Sequence, residues 1–494
     1  MALVKFILDA PTNTNWSLDT ELVHVLDLEK TPYPVKASIS DGLLVCQTSS
    51  PDSLRVQVPW ALPGRNPVIM GTSTLPSRNE PYLLVLELAR GRLTELRHYF
   101  QEGPATSPHL LPEPFQEAHR VFVQALMNRG NLQECVRLAT RSIELSLQLA
   151  ESLMKSTVNE NLLNSKIADK FSVDLTQFRS SEPDSVVRWG VKTATRCRVS
   201  PTWAELMPVE NQIHWASWEA PVKLAFESGH QVHAGPLVDF SADSLPPWLF
   251  RYDDIMQLTR VVANYVFYVV RNLKNHVHVW HVVRRPAMGP IHNLTEEQQI
   301  KITVAAIQAV AQAAPDADIV IDLSSPWAEW LSHARNELGP LHLADTLARA
   351  DLGLTGICLD LALGYPNPGS HLRELFDISK LFDLYRLINL PLHLNLAIPG
   401  KLISKGDHHK VGETAAILPD PRQWPVGCHQ ELQKQIATDL IRMAADRSFV
   451  QSIHWSCLSE GMPSEYPGSG LFSASGEPTL LANELERLIK STLV

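Results

Sequence analysis

The chain has 494 residues, of which 45% are hydrophobic and 19% charged, with a formal net charge of −10. That length exceeds one small domain and leaves room for two or three units, one of them a large barrel. The negative balance argues against nucleic acid or an anionic membrane surface as the main partner.

Six scattered cysteines, Cys46, Cys135, Cys197, Cys358, Cys428 and Cys457, form no Cys-x-x-Cys pair and read as reduced thiols. The opening residues carry no basic n-region with a full apolar core, and no later run approaches about 18 apolar residues. A cytoplasmic location without a membrane span is therefore expected.

Residues 1–80 alternate in the strand period, with Val4, Phe6 and Leu8 on one face and later Leu54, Val56 and Val58. Proline and glycine punctuate them, which predicts a small β-sandwich. Residues 81–168 read as a helical linker layer, with helices over Leu83–Phe100, Pro114–Met127 and Leu132–Asn164. Gly130 suits a left-handed cap on the second, and Asn131 with Glu134 suits the start of the third. The third is apolar on most faces, as expected of a buried helix that clamps the β-domain to the barrel or forms a subunit interface.

From residue 169 to 494 short apolar strands alternate with amphipathic helices. Strands are expected at Gln231–Phe240, His276–Val283, Ile319–Asp322, Gly356–Leu361, Leu390–Ile398 and Val450–Trp455, and a helix from Thr295 with Glu296 and Glu297 in its first turn. This pattern predicts an α/β fold, a (β/α)8 TIM barrel preceded by the β-sandwich and the helical layer.

Several segments in this region resemble family 10 glycoside hydrolases, the xylanases. Val209 to Trp215 resembles the family's Glu-Asn-x-Met-Lys-Trp, matching at Glu210, Asn211 and Trp215, with His214 in place of the lysine. Gly229 to Phe240 and Pro246 to Leu249 resemble its third-strand segment, and Trp280-His281-Val282-Val283-Arg284-Arg285 its fourth-strand Trp-Asp-Val-Val-Asn-Glu. Gly235 to Phe240 and Pro326 to Glu329 also look like a divergent branch of that superfamily. The resemblance implies that Arg285 stands at the acid/base glutamate and Leu396 at the nucleophile. Neither can donate a proton or attack an anomeric carbon, so the retaining mechanism is not available at these positions.

Asp239, Asp322, Glu329, Asp360 and Glu460 follow or end barrel strands and are possible replacement carboxylates, or else cap helices or pair with Arg284 and Arg285. The resemblance and the residue types together suggest a ligand site made by Glu210, Asn211, His214, Trp280, His281, Arg284, Arg285, Trp327, Asn395 and Trp455. The two arginines could bind an anionic sugar or fill the cleft. His276, His278, His281, His408, His409 and His429 lack metal-ligand spacing, so no metal and no cofactor are expected. The chain thus reads first as a catalytically degenerate, carbohydrate-binding or structural protein. The alternatives are an active glycosidase with relocated carboxylates and a structural homo-oligomer.

Overall fold

The computed structural model describes residues 2–8, 18–27, 31–49, 53–102, 111–155, 166–176, 184–241, 243–288, 294–334, 338–403 and 416–490. Its amino-terminal part holds two four-stranded sheets. In one, β1 (Ala2–Ile7), β4 (Val35–Ser40), β5 (Leu43–Thr48) and β8 (Tyr82–Leu83) lie in the order β4-β5-β1-β8. In the other, β2 (His24–Leu26), β3 (Pro32–Tyr33), β6 (Arg55–Trp60) and β7 (Val68–Gly71) lie in the order β3-β2-β6-β7. Asp41 and Gly42 turn β4 into β5 with φ of 51° and 74°, the pair of positive values that a tight hairpin needs.

Helices α1 (Leu84–Glu102), α2 (Glu113–Met127) and α3 (Leu132–Met154) pack on these sheets. Val4, Phe6, Val56, Trp60, Leu88 and Ile143 belong to one buried cluster, so sheets and helices share a single core. α3 starts where expected, with the Asn131 side chain accepting from the Glu134 N–H at 3.3 Å. The expected left-handed Gly130 is not formed. Asn128 closes α2 on the carbonyls of Gln124 and Ala125, and the Asn131 N–H returns to Asn128 O at 2.9 Å, so no residue there needs a positive φ. The expected end of α3 near Asn164 lies outside the described residues, and α3 stops at Met154.

The rest is the expected barrel. β9 (Phe171–Asp174), β10 (Arg196–Val199), β11 (Gln231–Ala234), β13 (Val279–Arg284), β14 (Asp318–Ser324), β15 (Gly356–Ala362), β16 (Leu392–Ala397) and β17 (Val450–Trp455) form eight parallel staves. The ring closes where Trp455 of β17 pairs with Val173 of β9. The expected long strand over 231–240 is broken: β12 (Val238–Asp239) continues the third stave after a kink at Gly235. Gly235 has φ of 111°, and a Cβ there would lie 2.0 Å from the His281 carbonyl oxygen. Gly235→Ala should therefore destabilise the barrel by at least about 3 kcal/mol, measured by chemical denaturation; a loss below about 1 kcal/mol would show that the two staves separate easily.

Outward-facing residues such as Val232, Trp280, Ile321, Leu359, Leu394 and Ile453 bury against the helices. Facing inward are Ser172, Arg198, His233, His281, Asp322, Asp360, His393, Ser452 and His454, all buried. A barrel interior of this kind is usually filled by branched apolar side chains. Here a small apolar group, Val279, Val320 and Cys358, shares that interior with the polar side chains, which are fixed by hydrogen bonds. The six cysteines are all free. Among the described residues no helix is long and apolar enough to cross a membrane.

Candidate active site

Arg284 ends β13 and Arg285 follows it with φ of 58°, a left-handed turn that aims both side chains over the carboxyl end of the barrel. Arg284 donates through Nε to Asp360 Oδ2 at 2.6 Å and through Nη1 to Glu465 Oε2 at 2.6 Å. Arg285 donates through Nη2 to the other oxygen of Glu465. Asp239 of β12 lies 3.5 Å from Arg284 and 3.7 Å from Arg285. One carboxylate thus clasps two adjacent guanidiniums, and two aspartates flank them.

Below this clasp Asp360 also accepts from Asn395 Nδ2 at 2.9 Å and from the Ser324 hydroxyl. Asp322 accepts from Arg198 and faces His281 Nδ1 at 2.6 Å. Burial alone would raise all these carboxyl groups. For Asp360 it is outweighed by Arg284, for Glu465 by Arg284 and Arg285, and for Asp322 by Arg198, so these three are held below the usual range. For Asp239 burial prevails over both arginines, and its carboxyl is raised.

A cavity of about 300 Å³ opens at this mouth. Its walls include Arg198, Asp239, Arg284, Arg285, Asn395, Ser456 and Glu465. Beside it three buried polar atoms lack a hydrogen-bond partner: Asp239 Oδ1, Arg284 Nη2 and Arg285 Nε.

The expected site residues divide sharply. Asp239, Arg284, Arg285 and Asn395 meet at the mouth, with Asp360 and Asp322 just beneath. The register on β16 differs from expectation by one residue. Leu396 is fully buried in the outer cluster against the helices, and the inward position belongs to Asn395. Strand alternation is the reason, since neighbouring residues face opposite sides.

Other expected residues lie elsewhere. Trp280 is buried and stacks with Trp218 at a centroid distance of 6.3 Å, and Trp455 is buried with its indole N–H on Ser469 O at 2.9 Å. Both sit on outward faces of their strands, where no ligand reaches. His281 is fully buried inside the barrel. Glu210, Asn211 and His214 lie on the loop before the helix Ala216–Glu227, with Glu210 accepting from the Tyr252 hydroxyl, and none lines the cavity.

Trp327 carries the Arg373 guanidinium 4.5 Å above its ring, and Glu329 pairs with Arg373, both at the seam with the amino-terminal sheets. Glu460 braces a loop by accepting from the N–H groups of Gly468 and Gly470. His276 and His278 pack on Phe226 near the opposite end of β13, and His429 caps the helix Gln430–Asp446. His408 and His409 lie outside the described residues.

Glu465 and Arg198 were not legible as site residues. Glu465 sits in an irregular loop, Pro463-Ser464-Glu465-Tyr466-Pro467, that has no period to read. Arg198 did leave a signal: arginine at alternate positions of an otherwise buried strand, Arg196-Cys197-Arg198-Val199, points charge into a barrel.

Comparison with protein-family models and with curated proteins gives no match. Solved structures do match. Xylanase 10B from Thermotoga maritima superposes with a TM-score of 0.50 at 14% identity, covering 68% of this chain and 99% of that one. Xylanase 10B from Thermotoga petrophila RKU-1, solved in complex with xylobiose, gives a TM-score of 0.49 at 14% identity over 69% of this chain and 99% of that one. At such identity the likeness to the Thermotoga maritima enzyme concerns architecture alone, and it shows that this chain has the barrel fold of the family 10 xylanases.

Proposed function

We propose that this chain is a binding protein built on a glycosidase-type barrel, with a neutral, hydroxyl-rich ligand such as an oligosaccharide held at the mouth and no hydrolysis by the usual carboxylate pair. The observation that carries this reading is the clasp: Glu465 is tied to both Arg284 and Arg285 at the barrel mouth, and Asn395 lines the same cavity. The lining residues Asp239, Arg284, Arg285, Asn395 and Ser456 supply both donors and acceptors, as a hydroxyl-bearing ligand requires.

Charge selects the ligand class. The cavity walls carry Asp174, Glu205, Asp239, Asp243 and Glu465 against Arg198, Arg284 and Arg285, a formal excess of two negative charges. An anionic sugar would meet this excess, with the arginines already paired, so a uronate should bind no better than its neutral parent.

Titration of neutral and uronate-bearing oligosaccharides by calorimetry tests this. Arg285→Ala should weaken the neutral ligand by about tenfold, the worth of one good hydrogen bond. Unchanged binding would remove the mouth from the site.

A hydrolytic reading has one observation in its favour, the raised carboxyl of Asp239 on the cavity wall, as a general acid requires. Aryl xylosides and glucosides should be released no faster by the protein than by buffer. Turnover that disappears in Asp239→Asn would overturn the binding reading and select the hydrolytic one.

A further inference from the structure

Beneath the arginine clasp four imidazoles meet inside the barrel: His233 of β11, His281 of β13, His393 of β16 and His454 of β17, none more than 7% exposed. The His233 ring centroid lies 4.7 Å from that of His454 and 5.6 Å from that of His281. One nitrogen from each of His233, His281 and His454 falls within 4.8 Å of the other two. His233 Nδ1 and His281 Nε2 are 3.3 Å apart.

Several features of this cluster suit a cation. His454 Nδ1 is buried without a hydrogen-bond partner, although an unsatisfied group of this kind costs about 1–3 kcal/mol. His281 Nδ1 faces Asp322 Oδ1 at 2.6 Å, and Arg198 keeps that carboxylate ionised. The proton of His281 is thereby placed on Nδ1, and the Nε2 lone pair turns toward His233. A carboxylate behind an imidazole in this way is the usual outer support of a metal-bound histidine.

Spacing agrees as well, since nitrogens at 2.0–2.1 Å from a tetrahedral zinc ion lie about 3.3 Å from one another.

We propose that His233, His281 and His454 bind a divalent transition-metal ion, Zn²⁺ being the best geometric match, at the centre of the barrel. Water or His393 completes the coordination. His393 Nδ1 faces the Ser452 hydroxyl at 2.7 Å, and that hydroxyl lies 3.1 Å from His454 Nε2, which leaves His454 Nδ1 for the ion. Arg198, bonded to Asp322 and lining the mouth cavity, stands between this site and the ligand cavity. The ion therefore has a structural role, separate from the binding function proposed above.

The test uses the full-length protein, stripped with a chelator and titrated with Zn²⁺ against a chromophoric competitor, with retained metal measured by elemental analysis. The expected result is one zinc per chain, a thermal midpoint that rises with added zinc, and a four-coordinate absorption spectrum when Co²⁺ replaces it. His454→Gln should lower affinity at least as much as loss of an outer carboxylate does, by about 100-fold.

His24→Gln serves as the control, because His24, Glu329 and His371 form a second group with suitable spacing at the seam with the amino-terminal sheets. If His454→Gln fails to fold, the wild-type stoichiometry, the cobalt spectrum and the His24→Gln control decide the matter. Substoichiometric zinc in folded wild-type protein would overturn the proposal in favour of a simple N–H···N bond between His233 and His281. Loss of zinc in folded His24→Gln would also overturn it and move the ion to the seam.

Discussion

Glu465→Ala is expected to destabilise the barrel by about 3–5 kcal/mol, because it strands two buried guanidiniums that share one carboxylate. The Arg284 and Arg285 side chains are only 9% and 10% exposed, so water cannot easily replace what Glu465 supplies. Arg284 would keep Asp360 at 2.6 Å, whereas Arg285 would keep only Asp239 at 3.7 Å. Most of the cost should therefore pass through Arg285. A double-mutant cycle with Arg285→Met measures this, since removing both partners exposes no lone charge and should cost much less than the sum of the single losses. Additive effects would mean that the clasp contributes nothing as a pair.

The second large effect concerns acid. His24 of β2 is 2% exposed, faces the Ser332 hydroxyl at 2.8 Å and stacks on His371 with centroids 5.2 Å apart. Beside it Glu329 accepts from Arg373 at 2.5 Å and from the His371 N–H at 3.2 Å. This seam joins the amino-terminal sheets to the barrel. Burial, reinforced by His371, pushes His24 down to about 3, so the folded chain refuses a proton that the unfolded chain accepts near 6.5. The stability from His24 is complete above pH 6.5 and is lost as pH falls toward 3, on the order of 5 kcal/mol in all.

Glu329 acts in the same direction at lower pH. Burial would raise it, but His371 and Arg373 hold it at about 2, and its contribution fades as pH falls through 4 toward 2. Unfolding free energies measured from pH 7 to 4 should fall steadily, and His24→Gln should flatten the slope by about 1.4 kcal/mol per pH unit. An unchanged slope in that variant would show that His24 is not the group titrating.

Much of this architecture is legible in the residues themselves. Alternating apolar strands and capped helices announce the barrel, and β17 runs from Val450 to Trp455 as read. What escapes is anything that depends on which side of a strand faces inward. The third stave hides its kink in a single glycine, and β16 turns Asn395 rather than Leu396 to the centre. His233, His393 and His454 stand alone between apolar neighbours, and only closure of the ring makes them one cluster. Glu465 comes from a loop, and no local pattern marks it as the partner of residues some 180 positions earlier.

The clasp also restricts the evolutionary paths open to this chain. Arg285→Glu, which would place an acid at the mouth, removes one of the three cations Arg198, Arg284 and Arg285 and adds to the four carboxylates Asp239, Asp322, Asp360 and Glu465. The formal excess of buried negative charge among these groups grows from one to three, with no new cation to offset it. An added acid would be tolerated only after Glu465 is removed, and that intermediate is itself destabilised. Substitution at this mouth is therefore limited by its charge balance before it is limited by any ligand.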